Sequence, residues 1–325
     1  MTKLFDAVTD GGIGVREAAA VLKAGALVGL PTETVYGLAA DATQSESVAA
    51  IFAAKGRPSF NPLIVHVADT AAAEQLAELG DMGTLLADAF WPGPLTLVAP
   101  KRSPSTISDL VTAGLATLAV RVPANLVAQQ VLRAIPFPLA APSANLSGRV
   151  SATTALHVLS DLGDQVSLVL DGGPSDIGLE STIVAIGRRP TLLRPGAVSR
   201  EALEAVIGKS LILSDEGAQR QAPGMLRSHY APSVPVRLNV TSVVPGESLL
   251  AFGTPVANAG EAVAMINLSV ESDLVEAATR FFSALRELDD IGTPIAAMSV
   301  PNYGLGLAIR DRLRRAAALP SPHSH

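Results

Sequence analysis

From Leu30 to Val67 the chain alternates apolar runs with clustered polar chemistry in an order that few folds accommodate. Leu30-Pro31-Thr32-Glu33-Thr34-Val35-Tyr36-Gly37-Leu38 ends an apolar stretch in a proline and a hydroxyl-rich turn. A short helix then releases two cations at Lys55-Gly56-Arg57-Pro58, and Asn61-Pro62-Leu63-Ile64-Val65-His66-Val67 forms a second apolar strand with an isolated histidine. Strand, helix and strand at these lengths make an α/β unit, and open α/β sheets hold ligands beyond the ends of neighbouring strands. Hydroxyls, cations and an imidazole gathered there suit a small, anionic, hydrogen-bonding guest.

The pattern continues along the chain. Strand-like runs at 26–30, 63–67, 95–99, 116–122, 138–141, 167–170, 181–186 and 191–193 are interleaved with helical spacing at 15–24, 46–54, 70–79, 81–90, 125–134 and 152–160. Several late strands stand too close together for a crossover helix, so part of the sheet must be antiparallel. The expected fold class is α/β, a mixed, twisted open sheet with a second, smaller Rossmann-like α/β domain. With 325 residues, two domains are expected: a catalytic unit over 1–208, a linker over 209–235, a small α/β unit over 236–318 and a disordered tail over 319–325. The linker carries Met225-Leu226-Arg227-Ser228-His229-Tyr230, too many functional side chains for a spacer. An amphipathic helix is expected near 272–288, and a final one near 304–317 whose arginines (310, 312, 314, 315) read as a solvated face.

Composition removes several function classes. With 24 basic against 30 acidic residues the net charge is −6, so no global field draws the chain onto nucleic acid and only a local basic patch could do so. The absence of cysteine removes disulfides and thiolate chemistry. Met1 to Asp10 has no secretory-signal pattern and no long uncharged apolar run occurs, so a cytoplasmic protein with no membrane partner is expected. Gly208-Lys209-Ser210 resembles the end of a phosphate-binding loop, but leucine stands at 203 where that loop needs glycine; Gly304-x-Gly306 likewise meets isoleucine at 309.

The chemistry-bearing positions each admit a structural reading as well. Lys55 and Arg57 could be a solvated helix C-terminus or a clamp on phosphate oxygens. His66 could be a core histidine or a neutral imidazole against substrate. Arg121, inside Leu118-Ala119-Val120-Arg121-Val122-Pro123, needs a partner because an unpaired buried charge is costly, and a ligand carboxylate would satisfy it. Ala141-Pro142-Ser143-Ala144-Asn145 offers close backbone approach with two hydrogen-bonding side chains, without the Gly-x-Ser-x-Gly elbow of a hydrolase.

Together with Trp91-Pro92-Gly93-Pro94, Glu180-Ser181-Thr182, Arg194-Pro195-Gly196 and His229-Tyr230-Ala231-Pro232, these motifs closely resemble the threonylcarbamoyl-AMP synthase family in its longer form, with a YrdC-type catalytic domain. The resemblance implies ATP-dependent synthesis of L-threonylcarbamoyladenylate from L-threonine, bicarbonate and ATP, with release of pyrophosphate, for t6A modification of tRNA by a separate threonylcarbamoyl transferase. It implies Thr34, His66, Arg121, Ser181 and the Ala141 backbone around threonine. Arg57, Asn61, Thr117, Ser143, Ser151, Arg194 and Tyr230 would hold ATP, and Lys55, Arg57 and Asn145 would serve the reacting groups. Tyr230 would fold back from the linker as a lid, and Mg2+ would sit on the phosphates. Two rivals stand beside it: an RNA-binding module without turnover, which low aromatic content disfavours, and carbamoyl transfer in metal-centre maturation. Weak direct contact with tRNA is compatible with the family reading.

Overall fold

The structure is a computed structural model that describes residues 2–187, 189–214 and 229–318. The first unit opens with β1 (Lys3–Asp6), α1 (Ile13–Lys23), β2 (Val28–Leu30), β3 (Gly37–Asp41), α2 (Ser45–Lys55) and β4 (Ile64–His66). Two helices, α3 (Thr70–Leu76) and α4 (Gly80–Phe90), lead to β5 (Leu95–Pro100), α5 (Asp109–Thr112), β6 (Thr117–Arg121), α6 (Leu126–Ala134) and β7 (Leu139–Ala140). It closes with α7 (Ala155–Leu162), β8 (Leu168–Asp171), β9 (Thr182–Ala185), β10 (Thr191–Arg194), α8 (Arg200–Ile207) and β11 (Ile212–Leu213).

These strands form one mixed sheet in the order β1-β8-β2-β3-β7-β4-β6-β5-β9-β10-β11. The parallel pair β4/β6 brings His66 into register with Arg121, while β7 runs antiparallel to β4 and β5 antiparallel to β6. The sheet does not stop at Gly208: β11 pairs with β10, so the expected linker begins inside the sheet. Residues 215–228 and 319–325, which include most of the expected lid and the expected tail, lie outside the described residues.

The second unit contains β12 (Val236–Leu238), β13 (Ser248–Ala251), β14 (Met265–Asn267), α9 (Leu274–Ile291), β15 (Ile295–Ala297) and α10 (Leu305–Ala316). Its four strands are parallel in the order β12-β15-β13-β14. One apolar cluster spans the two units: Val35, Val150 and Leu179 pack with Phe281, Phe282, Leu285 and Ile309. Gly178 permits that contact. At its positive φ of 72°, a Cβ would stand 2.4 Å from the Thr279 carbonyl oxygen of α9.

The expected solvated face of the last helix holds only two of its four arginines. Arg310 and Arg314 face solvent, whereas Arg312 is fully buried and the Arg315 side chain is only 14% exposed. The helical stripe explains it, since Ala308, Ile309, Arg312, Leu313 and Ala316 share the buried face.

Candidate active site

The turn after α2 sets the cations. Gly56 closes the helix in a left-handed conformation (φ 57°, ψ 36°), and the Arg57 amide returns to the Phe52 carbonyl. That reversal aims both side chains inward, so the solvated-terminus alternative fails: Lys55 is 2% and Arg57 8% exposed. The Lys55 ammonium donates to the Ser143 and Asn145 carbonyls. Arg57 donates to the carbonyls of Asn61 (3.3 Å) and Pro62 (3.0 Å). Burial drives the Lys55 ammonium well below its ordinary range, and Arg57 beside it adds repulsion. Burial likewise lowers Arg57 to about 10.

Across a narrow cavity of about 40 Å³ lie Thr34, Ala141, Ser143, Ser181, Arg194 and Tyr230, together with Arg57, His66 and Arg121. Arg194 donates to the Ser181 carbonyl (2.9 Å) and hydroxyl (3.2 Å), and the Ser181 hydroxyl meets that of Thr96 at 2.8 Å. Of the other expected residues, Lys55 and Asn145 stand behind Ser143, while Asn61 supports Arg57. Ser151 donates to Glu180 at 2.6 Å. Thr117, four residues before Arg121 on β6 and opposite Pro100, is outside the lining.

Arg121 has its partner within the chain. Its guanidinium donates to the Glu33 carboxylate (2.5 Å), the Thr34 hydroxyl (2.9 Å) and the Gly93 carbonyl (3.1 Å). Burial pushes the Glu33 carboxyl up, but the charge and hydrogen bond of Arg121 outweigh it and hold the carboxyl below its ordinary value. The need for a partner, read from the apolar strand, is real, and within the chain Glu33 supplies it.

Buried polar atoms without partners are rare in native interiors. Among the described residues six such atoms occur: Gln129 Oε1 lies outside this site, and the other five, Asn61 Nδ2, His66 Nδ1, Asn145 Oδ1, His229 Nδ1 and Tyr230 Oη, belong to it. Unused hydrogen-bonding capacity next to cations held only by main-chain carbonyls is the signature of a site built for a polar anion.

A family model described as telomere recombination, covering Sua5, YciO and YrdC proteins, matches residues 20–196. A second, described as the threonylcarbamoyl-AMP synthase C-terminal domain, matches residues 198–318. The threonylcarbamoyl-AMP synthase of Bacillus subtilis is 40% identical over 93% of this chain and 92% of its own length. The chain belongs to the threonylcarbamoyl-AMP synthase family. It is a nucleotidyltransferase with threonylcarbamoyl-AMP synthase activity, serving t6A modification of tRNA.

Solved structures agree with this. Sua5 of Pyrococcus abyssi complexed with L-threonine superposes with a TM-score of 0.86 at 37% identity, covering 93% of this synthase and 94% of that chain. A variant of the same archaeal protein, with an adjacent histidine and tyrosine replaced by alanine, gives 0.88 at 35%, covering 98% and 96%.

The site also holds residues that the motifs alone did not assign. Glu33 and Glu180 compensate arginines, and His229 lies buried beside Lys55 and Arg57. A signal for Glu33 was present, since it is the acidic residue of the turn that delivers Thr34.

The histidines give this synthase a defined acid response. Burial lowers His66 to about 3 and His157 to about 4, and drives His229 well below its ordinary value. Each is neutral in the fold but must take a proton on unfolding below pH ~6.5. Stability is therefore complete above that pH and is lost as pH falls toward the folded values. His66, with a folded value of about 3, contributes a slope approaching about 1.4 kcal/mol per pH unit between roughly pH 6 and 4, and His157 and His229 act in the same direction. Urea midpoints across that range should show it, and His66→Gln should make the profile shallower; a flat profile would mean that the imidazoles titrate freely in the fold.

Proposed function

We propose that the cavity binds L-threonine and ATP side by side and positions a threonine carbamate for in-line attack on the α-phosphorus. The observation that carries this is the pairing of Lys55 and Arg57, buried with main-chain carbonyls as their partners, with the unpartnered polar atoms around them. On this reading threonine lies against Thr34, His66, Arg121, Ser181 and the Ala141 backbone, consistent with the threonine complex of the archaeal relative. Arg57, Asn61, Thr117, Ser143, Ser151, Arg194 and Tyr230 hold ATP.

The neutral threonine amine combines with bicarbonate, losing water, to give N-carboxythreonine. A carbamate oxygen then forms its bond to the α-phosphorus as the bond to pyrophosphate breaks, and pyrophosphate leaves with the electron pair. Such a transfer asks for alignment and charge neutralisation rather than a covalent nucleophile. Lys55 and Arg57 supply charge where it develops, and Asn145 fixes the Lys55 ammonium through its carbonyl. His66, at about 3, is too weak a base to deprotonate the amine and serves as a hydrogen-bonding wall.

Among the described residues no group of three His, Asp or Glu stands close enough to hold a metal, and Glu180 is committed to Ser151 and Arg312. Mg2+ therefore enters on the phosphates of ATP, as part of the substrate. A cavity of about 40 Å³ holds roughly one water. Nucleotide entry thus requires a wall to move, and the wall made by His229 and Tyr230 belongs to no helix or strand. The labile adenylate passes to a separate tRNA threonylcarbamoyl transferase.

Pyrophosphate release should require threonine and bicarbonate together. Release without threonine would assign another acceptor, and no release combined with salt-sensitive RNA binding would replace this reading with an RNA-binding one.

A further inference from the structure

The second unit reaches the cavity wall through two arginines. Arg312 of α10, fully buried, donates through Nε and Nη2 to one oxygen of Glu180 (both 3.1 Å) and through Nη1 to the Pro195 carbonyl (2.5 Å). Its guanidinium carbon lies 5.4 Å from the centre of the Tyr230 ring. Glu180 and Tyr230 line the cavity, and Pro195 follows Arg194, which also lines it. Arg286 of α9 donates to the Val150 (2.5 Å) and Ser151 (3.1 Å) carbonyls and holds Asp161 in a two-pronged ion pair. The two gripped segments meet in front, where the Ser151 hydroxyl donates to the other oxygen of Glu180.

We propose that Arg312 and Arg286 are positioning residues through which the second unit sets the ATP-binding wall, so that the unit completes the active site. Structural linkage alone would need neither arginine to reach the wall. The units already share an apolar cluster, and the Thr279 hydroxyl bonds the Asp176 carbonyl, a pair outside the cavity lining. What the arginines add is local. Arg312 fixes the Glu180 carboxylate in the rotamer that receives Ser151 and packs against Tyr230. Arg286 fixes the backbone that carries Ser151. A buried carboxylate gripped from behind by an arginine cannot swing into the cavity and compete for the cationic side chains. Gly196 shows how tightly this wall is made: a Cβ there would lie 2.4 Å from the Glu180 carbonyl oxygen.

The inference rests on the assignment to ATP of Ser151, Arg194 and Tyr230, the residues these arginines hold, with Ser181 the one threonine residue next to them, which makes its signature selective for ATP. Steady-state pyrophosphate release should show the ATP KM of Arg312→Met raised about tenfold, the effect of losing a charge-assisted contact, with the threonine KM within about twofold. Arg312→Lys should restore part of the loss. Arg286→Lys keeps the charge opposite Asp161 but loses the geometry of the carbonyl grip, and should raise the ATP KM severalfold. It decides the matter if Arg312→Met does not fold. Arg280→Ala, at an exposed ion pair on the same helix, should change neither constant.

Unchanged ATP KM in the folded variants would overturn the proposal. So would a parallel rise of both KM values with falling Tm, the mark of general loosening. Failure of the wild-type enzyme to require ATP and threonine would instead overturn the underlying assignment, which keeps the two readings apart.

Discussion

Replacing Lys55 by methionine should cut turnover sharply and make the protein more stable. In the fold the ammonium is 2% exposed and donates to the carbonyls of Ser143 and Asn145, with Arg57 close enough to repel it. Exchanging a buried charge that has no counter-ion for an apolar side chain of similar length removes an effective desolvation penalty of about 3 kcal/mol or more. Against this stands the loss of hydrogen bonds to two carbonyls, about 1 kcal/mol each. The net should be a gain of about 1 kcal/mol, seen as a Tm a few degrees higher. Activity should move the other way, with kcat falling about a hundred- to a thousandfold, as for other groups aimed at developing charge. The same logic predicts that ATP stabilises the wild type more than Lys55→Met in thermal shift. A Tm lowered by several degrees would mean that the ammonium is compensated in the fold, and near-normal kcat would remove it from the chemistry.

That trade-off reflects two classes of buried cation. Arg121 and Arg312 have carboxylates, Glu33 and Glu180, and serve as fixed parts of the walls. Lys55 and Arg57 have main-chain carbonyls, which orient them without cancelling their charge. Carbonyl ligation keeps a cation pointed and leaves its field available to an anion. A site that must neutralise phosphate and carbamate charge needs the second kind, and it holds them at the expense of stability.

The division was partly legible in the sequence. The helix over Glu46–Ala54 and the strand over Leu63–Val67 emerged as α2 and β4, because β-branched and alanine-rich stretches have distinct periods and the glycine and proline signals around 56–58 are unambiguous. β3 was not legible as a strand: Gly37-Leu38-Ala39-Ala40-Asp41 is poor in β-branched residues and buried throughout, so it shows no alternation. The hydroxyl-rich turn is therefore the link of a β2/β3 pair, which explains how Thr32 and Thr34 come to face the cavity. Arg312 was misread because a helix with four arginines in six positions looks like a charged surface. The signal lay in its place on the Ala308–Ile309–Leu313 stripe, where a charged residue must find a partner, and that partner is more than a hundred residues away in sequence. Pairings across such separations belong to the fold and leave no local trace.

Glu33 offers the sharpest test of how charge is shared between enzyme and substrate. Glu33→Gln preserves shape but leaves the Arg121 guanidinium, with its other donors on Thr34 and Gly93, without a counter-charge in a site where it is 3% exposed. Breaking one side of a buried pair costs about 3–5 kcal/mol, and the retained amide oxygen should keep the loss near the lower figure. Tm should fall by several degrees at neutral pH. The loss should shrink in acid. Arg121 holds the Glu33 carboxyl below its ordinary value, so the stability from this pair is complete above about pH 4.5 and disappears as pH falls through the folded value. Threonine should then act as a replacement. Its carboxylate meets one uncompensated positive charge in the variant and a neutralised pair in the wild type, so saturating threonine should raise the Tm of Glu33→Gln by more than that of the wild type. Thermal shift against threonine concentration reads this directly. A larger shift means that Glu33 and the substrate carboxylate share Arg121, whereas a shift abolished in a folded variant would mean that Glu33 is needed to orient the guanidinium for substrate and does not compete for it.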